Sequence, residues 1–169
     1  MDGAIRFCHE VLPRVREVVP GAELAVVGAR PPQKVLDLAA QPGVSVHGDV
    51  PTVVPHLHAA RVALVPLRIG SGSRLKALEA MAAGRPVVGT TIGLGGLRYV
   101  AGTHALVADD PAGLAAATIR LLREDVLART MAAAGRALVE ERYRWDRIAD
   151  RFTDLVLADP PPGAATAGG

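Results

Sequence analysis

Short, uninterrupted apolar runs separated by amphipathic stretches narrow the possible folds of this chain more than any other feature. Leu24-Ala25-Val26-Val27-Gly28, Val44-Ser45-Val46-His47-Gly48, Val62-Ala63-Leu64-Val65, Pro86-Val87-Val88-Gly89 and the shorter Ala105-Leu106-Val107-Ala108 read as strands. Continuous rather than alternating apolar character marks strands buried on both faces, as in parallel sheets. Helical spacings fill the intervals between them. The pattern is therefore βα repetition, an α/β protein with one parallel sheet flanked by helices.

Ile5, Cys8, Val11, Leu12, Val15 and Val18 recur at three- and four-residue spacings and predict a helix over 5–19, in which Pro13 demands a bend or a fresh start. Short helices are expected over 31–40 and, with Pro51 in the first turn, over 51–58. A helix over 73–83 stops at Gly84. Asp110-Pro111, an N-cap followed by a first-turn proline, opens another that runs to Arg123. Helices over 125–142 and 144–157 complete the last third. Residues 1–158 are expected to form one folded unit, with 159–169 a disordered tail. The chain opens on a helix, whereas a doubly wound sheet begins with a central strand. The expectation is that this first strand is missing upstream, and that the exposed sheet edge it leaves promotes self-association.

Composition removes several classes of function. Lys plus Arg number 19 and Asp plus Glu 17, a formal net charge of +2. That balance lacks the phosphate-neutralising surface of a nucleic-acid binder. The aromatics, Phe7, Tyr99, Tyr143, Trp145 and Phe152, are scattered rather than clustered for base stacking. The single cysteine, Cys8, excludes a disulfide framework and a Cys-based zinc site, and reads as a small core residue. His56 and His58 have neither i, i+4 spacing nor an acidic partner, so no metal is expected. No apolar run reaches the ~18 residues of a transmembrane helix. Asp2, Arg6 and Glu10 interrupt the N-terminal apolar pattern, unlike a signal peptide. A cytoplasmic location is expected.

Ile69-Gly70-Ser71-Gly72-Ser73-Arg74-Leu75-Lys76 lies between the third strand and its helix, at the carboxyl edge where α/β sheets bind ligands. Gly70 and Gly72 permit close backbone approach, and Ser73 is a natural N-cap. Free N–H groups at the helix start attract a phosphate, with Arg68, Arg74 and Lys76 adding charge. An ordinary Gly-rich turn into a capped helix fits the same residues. A P-loop is ruled out because Gly-Lys-Ser/Thr is absent, and a dinucleotide fingerprint because Leu75 stands where the third glycine belongs. Glu79, six residues past Ser73 and so about 9 Å along the axis, is expected at the border of the apolar stripe. A carboxylate there is costly unless satisfied. It either takes the ribose hydroxyls of a ligand whose phosphate sits at the helix start, or pairs with an Arg or Lys.

The stretch from Pro66 to Thr90, with Arg68-Ile69-Gly70-Ser71-Gly72-Ser73-Arg74-Leu75-Lys76 and Glu79-Ala80-Met81-Ala82-Ala83-Gly84-Arg85-Pro86 at its centre, resembles the donor-site signature of GT-B retaining glycosyltransferases of group 1. The resemblance covers roughly residues 3–157 and is most specific over 66–97. It implies a Rossmann-like C-terminal domain that binds a nucleotide diphosphate-sugar. Joined to an N-terminal acceptor domain, such a domain serves sugar transfer without a metal or other cofactor. The family's Glu-x7-Glu pair contacts the donor, its second member taking the ribose. Glu79 matches that second Glu, whereas Ser71 occupies the place of the first and departs from the pattern. The implied donor contacts are Gly70, Ser71, Gly72, Ser73, Arg74, Lys76, Glu79 and Gly93. Gly93 belongs to the glycine-dense turn 90–97, which forms a two-sided mouth with 70–76. Arg30, His47 and Gly48 are the candidates on the base side, although they also fit strand-end residues in solvent. No residue of the chain is assigned as catalytic. The broken Glu pair and missing strand leave a second reading open, a truncated or non-catalytic nucleotide-binding module that keeps the fold without turnover.

Overall fold

A computed structural model describes residues 2–69, 74–144 and 149. The N-terminal helix runs as α1 (Asp2–Arg6), a π-turn (Phe7–Val11) and α2 (Leu12–Val18). Pro13 explains the interruption. In a regular α-helix its ring would strike the His9 carbonyl. The wider turn, closed by the Leu12 N–H on the Phe7 carbonyl, accommodates it. The expected bend at Pro13 is therefore a π-turn just ahead of it.

Strand β1 (Leu24–Gly28) leads to α3 (Gln33–Leu36), which tightens into a 3₁₀ turn over Asp37–Ala40. Strand β2 (Val44–Gly48) leads to α4 (Val54–Ala59), and β3 (Ala63–Val65) to α5 (Leu75–Ala82). Beyond β4 (Val87–Gly89) come α6 (Thr91–Leu94), β5 (Leu106–Val107), α7 (Pro111–Arg123) and α8 (Asp125–Arg142). Three boundaries differ from expectation. α4 starts at Val54 with Pro55 in its first turn, so Pro51 precedes the helix. Arg74, not Ser73, occupies the N-cap position of α5. The glycine-dense stretch after β4 contains a helical turn, because Thr90 caps it by accepting the Gly93 N–H. The helix expected over 144–157 and the tail over 159–169 lie outside the described residues, apart from Arg144 and Ala149.

All pairings between the described strands are parallel, but the expected single sheet is two, ordered β1-β2 and β3-β4-β5. Both point the same way, as the N-terminal helix shows. It begins against the Pro66 carbonyl beyond the end of β3, and Arg16 near its other end donates to the Ala22 carbonyl just before β1. β4 is the most enclosed strand. Val88 faces a core built by the N-terminal helix, α3, α7 and the start of α8, including Phe7, Val11, Val15, Leu38 and Leu121. Val87 faces the opposite core of Ala77, Ala80, Met81 and Leu94. β1 departs from the expectation of full burial. Leu24 and Val26 are half-buried against the first core, while Ala25 is exposed. It is the last strand of its sheet, and among the described residues no strand pairs with it on the side away from β2.

Arginines fasten connections by donating to backbone carbonyls. Arg16 Nε reaches Ala22 O at 2.9 Å, Arg85 Nη1 reaches Ala60 O at 3.1 Å, and Arg61 Nη2 reaches Leu122 O at 3.1 Å. Cys8 is buried as expected, its Sγ 3.1 Å from Gln41 Oε1, and burial pushes its thiol pKa up.

At the start of α7 the Asp110 carboxylate accepts the Gly113 N–H at 2.9 Å, and this bond holds its pKa below the ordinary carboxylate value. A carboxyl lowered in the folded state contributes stability above its unfolded pKa and loses it as pH falls through the folded one. Asp110→Ala should therefore lower Tm by a few degrees at neutral pH. The gap to wild type should begin to narrow as pH falls below about 4, where the unfolded carboxyl takes up its proton, and should close as the folded carboxyl does the same at lower pH. Thermal melts of both proteins across that range check this.

Candidate functional site

The connections that leave the carboxyl ends of β3, β4 and β5 are bonded to one another. Thr90, buried directly after β4, donates its hydroxyl to the Leu67 carbonyl beyond β3 and accepts the Gly93 N–H at 2.8 Å. Asp109, just past β5, accepts both the Thr91 N–H and the Thr91 hydroxyl, each at 2.8 Å. Arg74 Nε, at the entrance to α5, donates to the Gly95 carbonyl at 3.1 Å. That bond joins the segment leading into α5 with the turn after β4, the two sides expected to form a mouth. Thr90, Thr91 and Asp109 were not among the residues singled out from sequence. A signal for Asp109 was present: Asp109-Asp110-Pro111 holds two carboxylates where a helix cap needs only one.

Gly93 is buried, and a Cβ there would lie 2.2 Å from the Val65 carbonyl. Glycine at this position is thus required by the close approach of α6 to the end of β3. Lys76 and Glu79 stand three residues apart on the exposed side of α5, which packs through Ala77, Ala80 and Met81. The expected position of Glu79 at the border of the apolar stripe is not what the fold shows. Its carboxylate is exposed and has no hydrogen bond or ion pair among the described residues, so burial imposes no cost on it. Gly70, Ser71, Gly72 and Ser73 lie outside the described residues.

Arg30, His47 and Gly48 gather at the carboxyl ends of β1 and β2. The Arg30 N–H donates to Asp49 Oδ1 at 2.8 Å, and both residues hold left-handed backbone, with φ of 46° and 52°. Such φ values are uncommon outside glycine, and this hydrogen bond fixes the pair of turns. Gly48 packs so closely on the Pro31 ring that a Cβ would come within 2.9 Å of it. His47 is half-buried rather than a strand-end residue in open solvent. Its Nε2 lies 3.1 Å from Ser45 Oγ, and its ring centre 4.5 Å from that of His56. Among the described residues no cluster of three or more metal-ligating side chains occurs, and no helix is long and apolar enough to cross a membrane.

A profile of the Glycosyl transferases group 1 family matches residues 1–124. The chain belongs to that family, as the residues around 66–97 led us to expect. It is 35% identical over 163 residues to a GDP-mannose-dependent alpha-(1-6)-phosphatidylinositol monomannoside mannosyltransferase of Mycobacterium tuberculosis, covering 88% of this chain and 42% of that enzyme. The chain thus spans less than half the length of this relative. Sucrose-phosphate synthase from Thermosynechococcus elongatus superimposes with a TM-score of 0.72 at 26% identity, covering 87% of this chain and 41% of that one. The C-terminal domain of a glycosyl transferase group 1 family protein from Francisella tularensis superimposes with a TM-score of 0.70 at 21% identity, covering 85% and 80%. The α/β fold of parallel sheets flanked by helices is the GT-B glycosyltransferase fold of these neighbours.

The close contact at Gly93 yields a prediction of stability. Gly93→Ala should destabilise the protein by about 1–3 kcal/mol, because the α6 turn must move off the Val65 carbonyl. Urea denaturation followed by circular dichroism measures this. An unchanged midpoint would mean that α6 is free to shift.

Proposed function

We propose that the chain is the donor-binding part of a cytoplasmic glycosyltransferase. In this reading it holds a nucleotide diphosphate-sugar and, together with an N-terminal acceptor-binding domain, passes the sugar to an acceptor. The observation that carries the reading is the Arg74–Gly95 bond, which closes the two sides of the mouth at the carboxyl edge of a parallel sheet. The diphosphate sits at the start of α5, beside the backbone of Gly70, Ser71, Gly72 and Ser73 and the charges of Arg74 and Lys76. Glu79, exposed and free of competing partners among the described residues, takes the ribose hydroxyls. The turn 90–97, to which Gly93 belongs, approaches the sugar and phosphates, and Arg30, His47 and Gly48 border the base. Catalysis rests on stabilising the departing diphosphate with the helix dipole and these cations, not on a base of this chain. The reading includes no metal or other cofactor.

The GDP-mannose dependence of the mycobacterial relative makes GDP the first nucleotide to titrate, followed by UDP and ADP. Calorimetry should show binding of at least one; failure of all three would sink the proposal. Ser71, in the place of the family's first Glu, favours the second reading of a nucleotide-binding module without turnover. That reading predicts nucleotide binding but no sugar release, even with an acceptor-binding domain attached.

Two variants locate the nucleotide. Gly72→Val should weaken binding while leaving the fold intact, because a β-branched side chain blocks backbone approach. Glu79→Gln should reduce affinity about ten- to hundredfold, the equivalent of roughly 1.5–3 kcal/mol for charge-assisted bonds. Its Tm should stay at the wild-type value, since no partner is stranded. The mutant should also bind ribo- and dideoxyribonucleotides alike. Retention of the wild-type preference for ribose would remove Glu79 from the site.

A further inference from the structure

The turn that leaves β4 is tied down along most of its length. Thr90 on the Leu67 carbonyl and Asp109 on Thr91 fix its start, and Arg74 Nε on the Gly95 carbonyl fixes its middle at 3.1 Å. Gly96 comes next, with a left-handed φ of 82° and open space where a Cβ would stand. Glycine leaves a backbone free to pivot. Whatever holds the chain just beyond Gly96 therefore fixes the far end of the turn.

That hold comes from another element. The Arg98 N–H donates to the Tyr143 hydroxyl at 2.8 Å, across 45 residues of chain. Tyr143 stands at the C-terminal end of α8 and donates its own N–H to the Val139 carbonyl. Its half-buried ring packs, as do Leu97, Tyr99 and Val139, against the core of Ala77, Ala80, Met81 and Leu94. A phenylalanine ring would serve that packing equally well. The hydroxyl serves only the backbone of the turn's exit. The next bonded amide, the Val100 N–H, goes to His104 Nδ1 at 2.9 Å, four residues on. That bond shapes the loop without tethering it to another element.

α8 meets the same segment again near its middle. A Cβ at Gly135 would lie 3.5 Å from the His104 carbonyl and 3.2 Å from Met81 Cγ of α5. Gly135 and Tyr143 are about 12 Å apart along the helix axis. Leu138, between them, is buried in the core that α5 also lines. α8 thus lies against both sides of the mouth: against α5, which has Arg74 at its entrance, and against the exit of the turn 90–97.

We propose that Tyr143 is a positioning residue of the nucleotide site. Its hydroxyl, acting through the Arg98 N–H, holds the turn 90–97 at a set distance from the start of α5. The inference rests on the nucleotide-binding reading, in which that turn approaches the sugar and phosphates while the base lies at β1 and β2. Tyr143 itself touches no ligand. A turn pinned at both ends needs no further ordering when the phosphates arrive, whereas a turn pinned only at its start must be ordered at the ligand's expense. The effect therefore falls on the phosphate end of the ligand and spares the base.

Calorimetry of the wild type and Tyr143→Phe tests this, with whichever of GDP, UDP and ADP the wild type binds and with the corresponding monophosphate. The variant should bind the diphosphate about three- to tenfold more weakly, the scale of one hydrogen bond, and the monophosphate within about twofold of the wild type. Its Tm should stay near the wild-type value. Coupling is reciprocal, so saturating the wild type with the diphosphate should slow exchange of the Arg98 amide, followed by NMR, by a similar factor. The monophosphate should not. That second measurement needs no variant. If Tyr143→Phe binds the diphosphate as the wild type does, or if the Arg98 amide ignores the diphosphate, the inference is overturned and the nucleotide-binding reading stands. Equal weakening of both nucleotides with a lower Tm would make Tyr143 purely structural, which also overturns it. If the wild type binds no nucleotide, the reading and the inference fall together.

Discussion

β4 carries the architecture because each of its residues meets a different demand. Val88 closes the core beneath the N-terminal helix and α7, and Val87 closes the core beneath α5. Gly89 leaves room for Leu94, whose side chain would lie 2.8 Å from a Cβ at that position. Two apolar layers thus meet across a strand of three residues. A polar residue at 87 or 88 would be buried with no partner. The helices on either side, and hence the direction in which every connection leaves the sheet, depend on that strand being covered twice.

The strands were legible because fully apolar runs have few other fates in a chain of this size, and β3 and β4 are buried much as their Val-rich sequences require. The start of α7 was legible for a local reason: Asp110 and Pro111 satisfy the first helical turn by themselves. Pro13 announced a disturbance but not its form, since the choice between a kink, a break and a π-turn depends on what the helix packs against. The division into two sheets was hidden because pairing is non-local, and the run Leu24–Gly28 reads the same beside one neighbour as beside two. α6 was hidden because its cap and its glycines resemble loop chemistry until Gly93 is seen against the Val65 carbonyl. Glu79 was misplaced because a residue at the margin of a helical stripe goes to the core or to solvent according to the tilt of the helix. Sequence spacing does not record that tilt.

In the candidate site, the residues that hold the connections together are distinct from the exposed polar residues of α5. Thr90, Thr91 and Asp109 are engaged with backbone or with one another, and they set the distance between the connections. Lys76 and Glu79 stand outside this framework on the exposed side of α5. The bonds that link Leu67, Thr90 and Gly93, and those between Thr91 and Asp109, keep the edge in shape without involving the exposed positions of α5.

The preference for arginine has a consequence for how the protein responds to its surroundings. Of the bonds that fasten its connections, those from Arg16 to Ala22, Arg85 to Ala60, Arg61 to Leu122 and Arg74 to Gly95 all end on carbonyl oxygens. A carbonyl does not titrate, and a guanidinium stays charged to beyond about pH 12. Neither member of such a contact changes its proton count over the range in which proteins are handled. A carbonyl also carries no net charge, so added salt has little long-range attraction to screen. Lysine offers a point charge without the planar fork and does not reproduce these contacts. These arginine–carbonyl attachments are therefore indifferent to acid and salt, whereas the exposed pairs Arg120–Glu124 and Arg136–Glu140 contribute little to the fold.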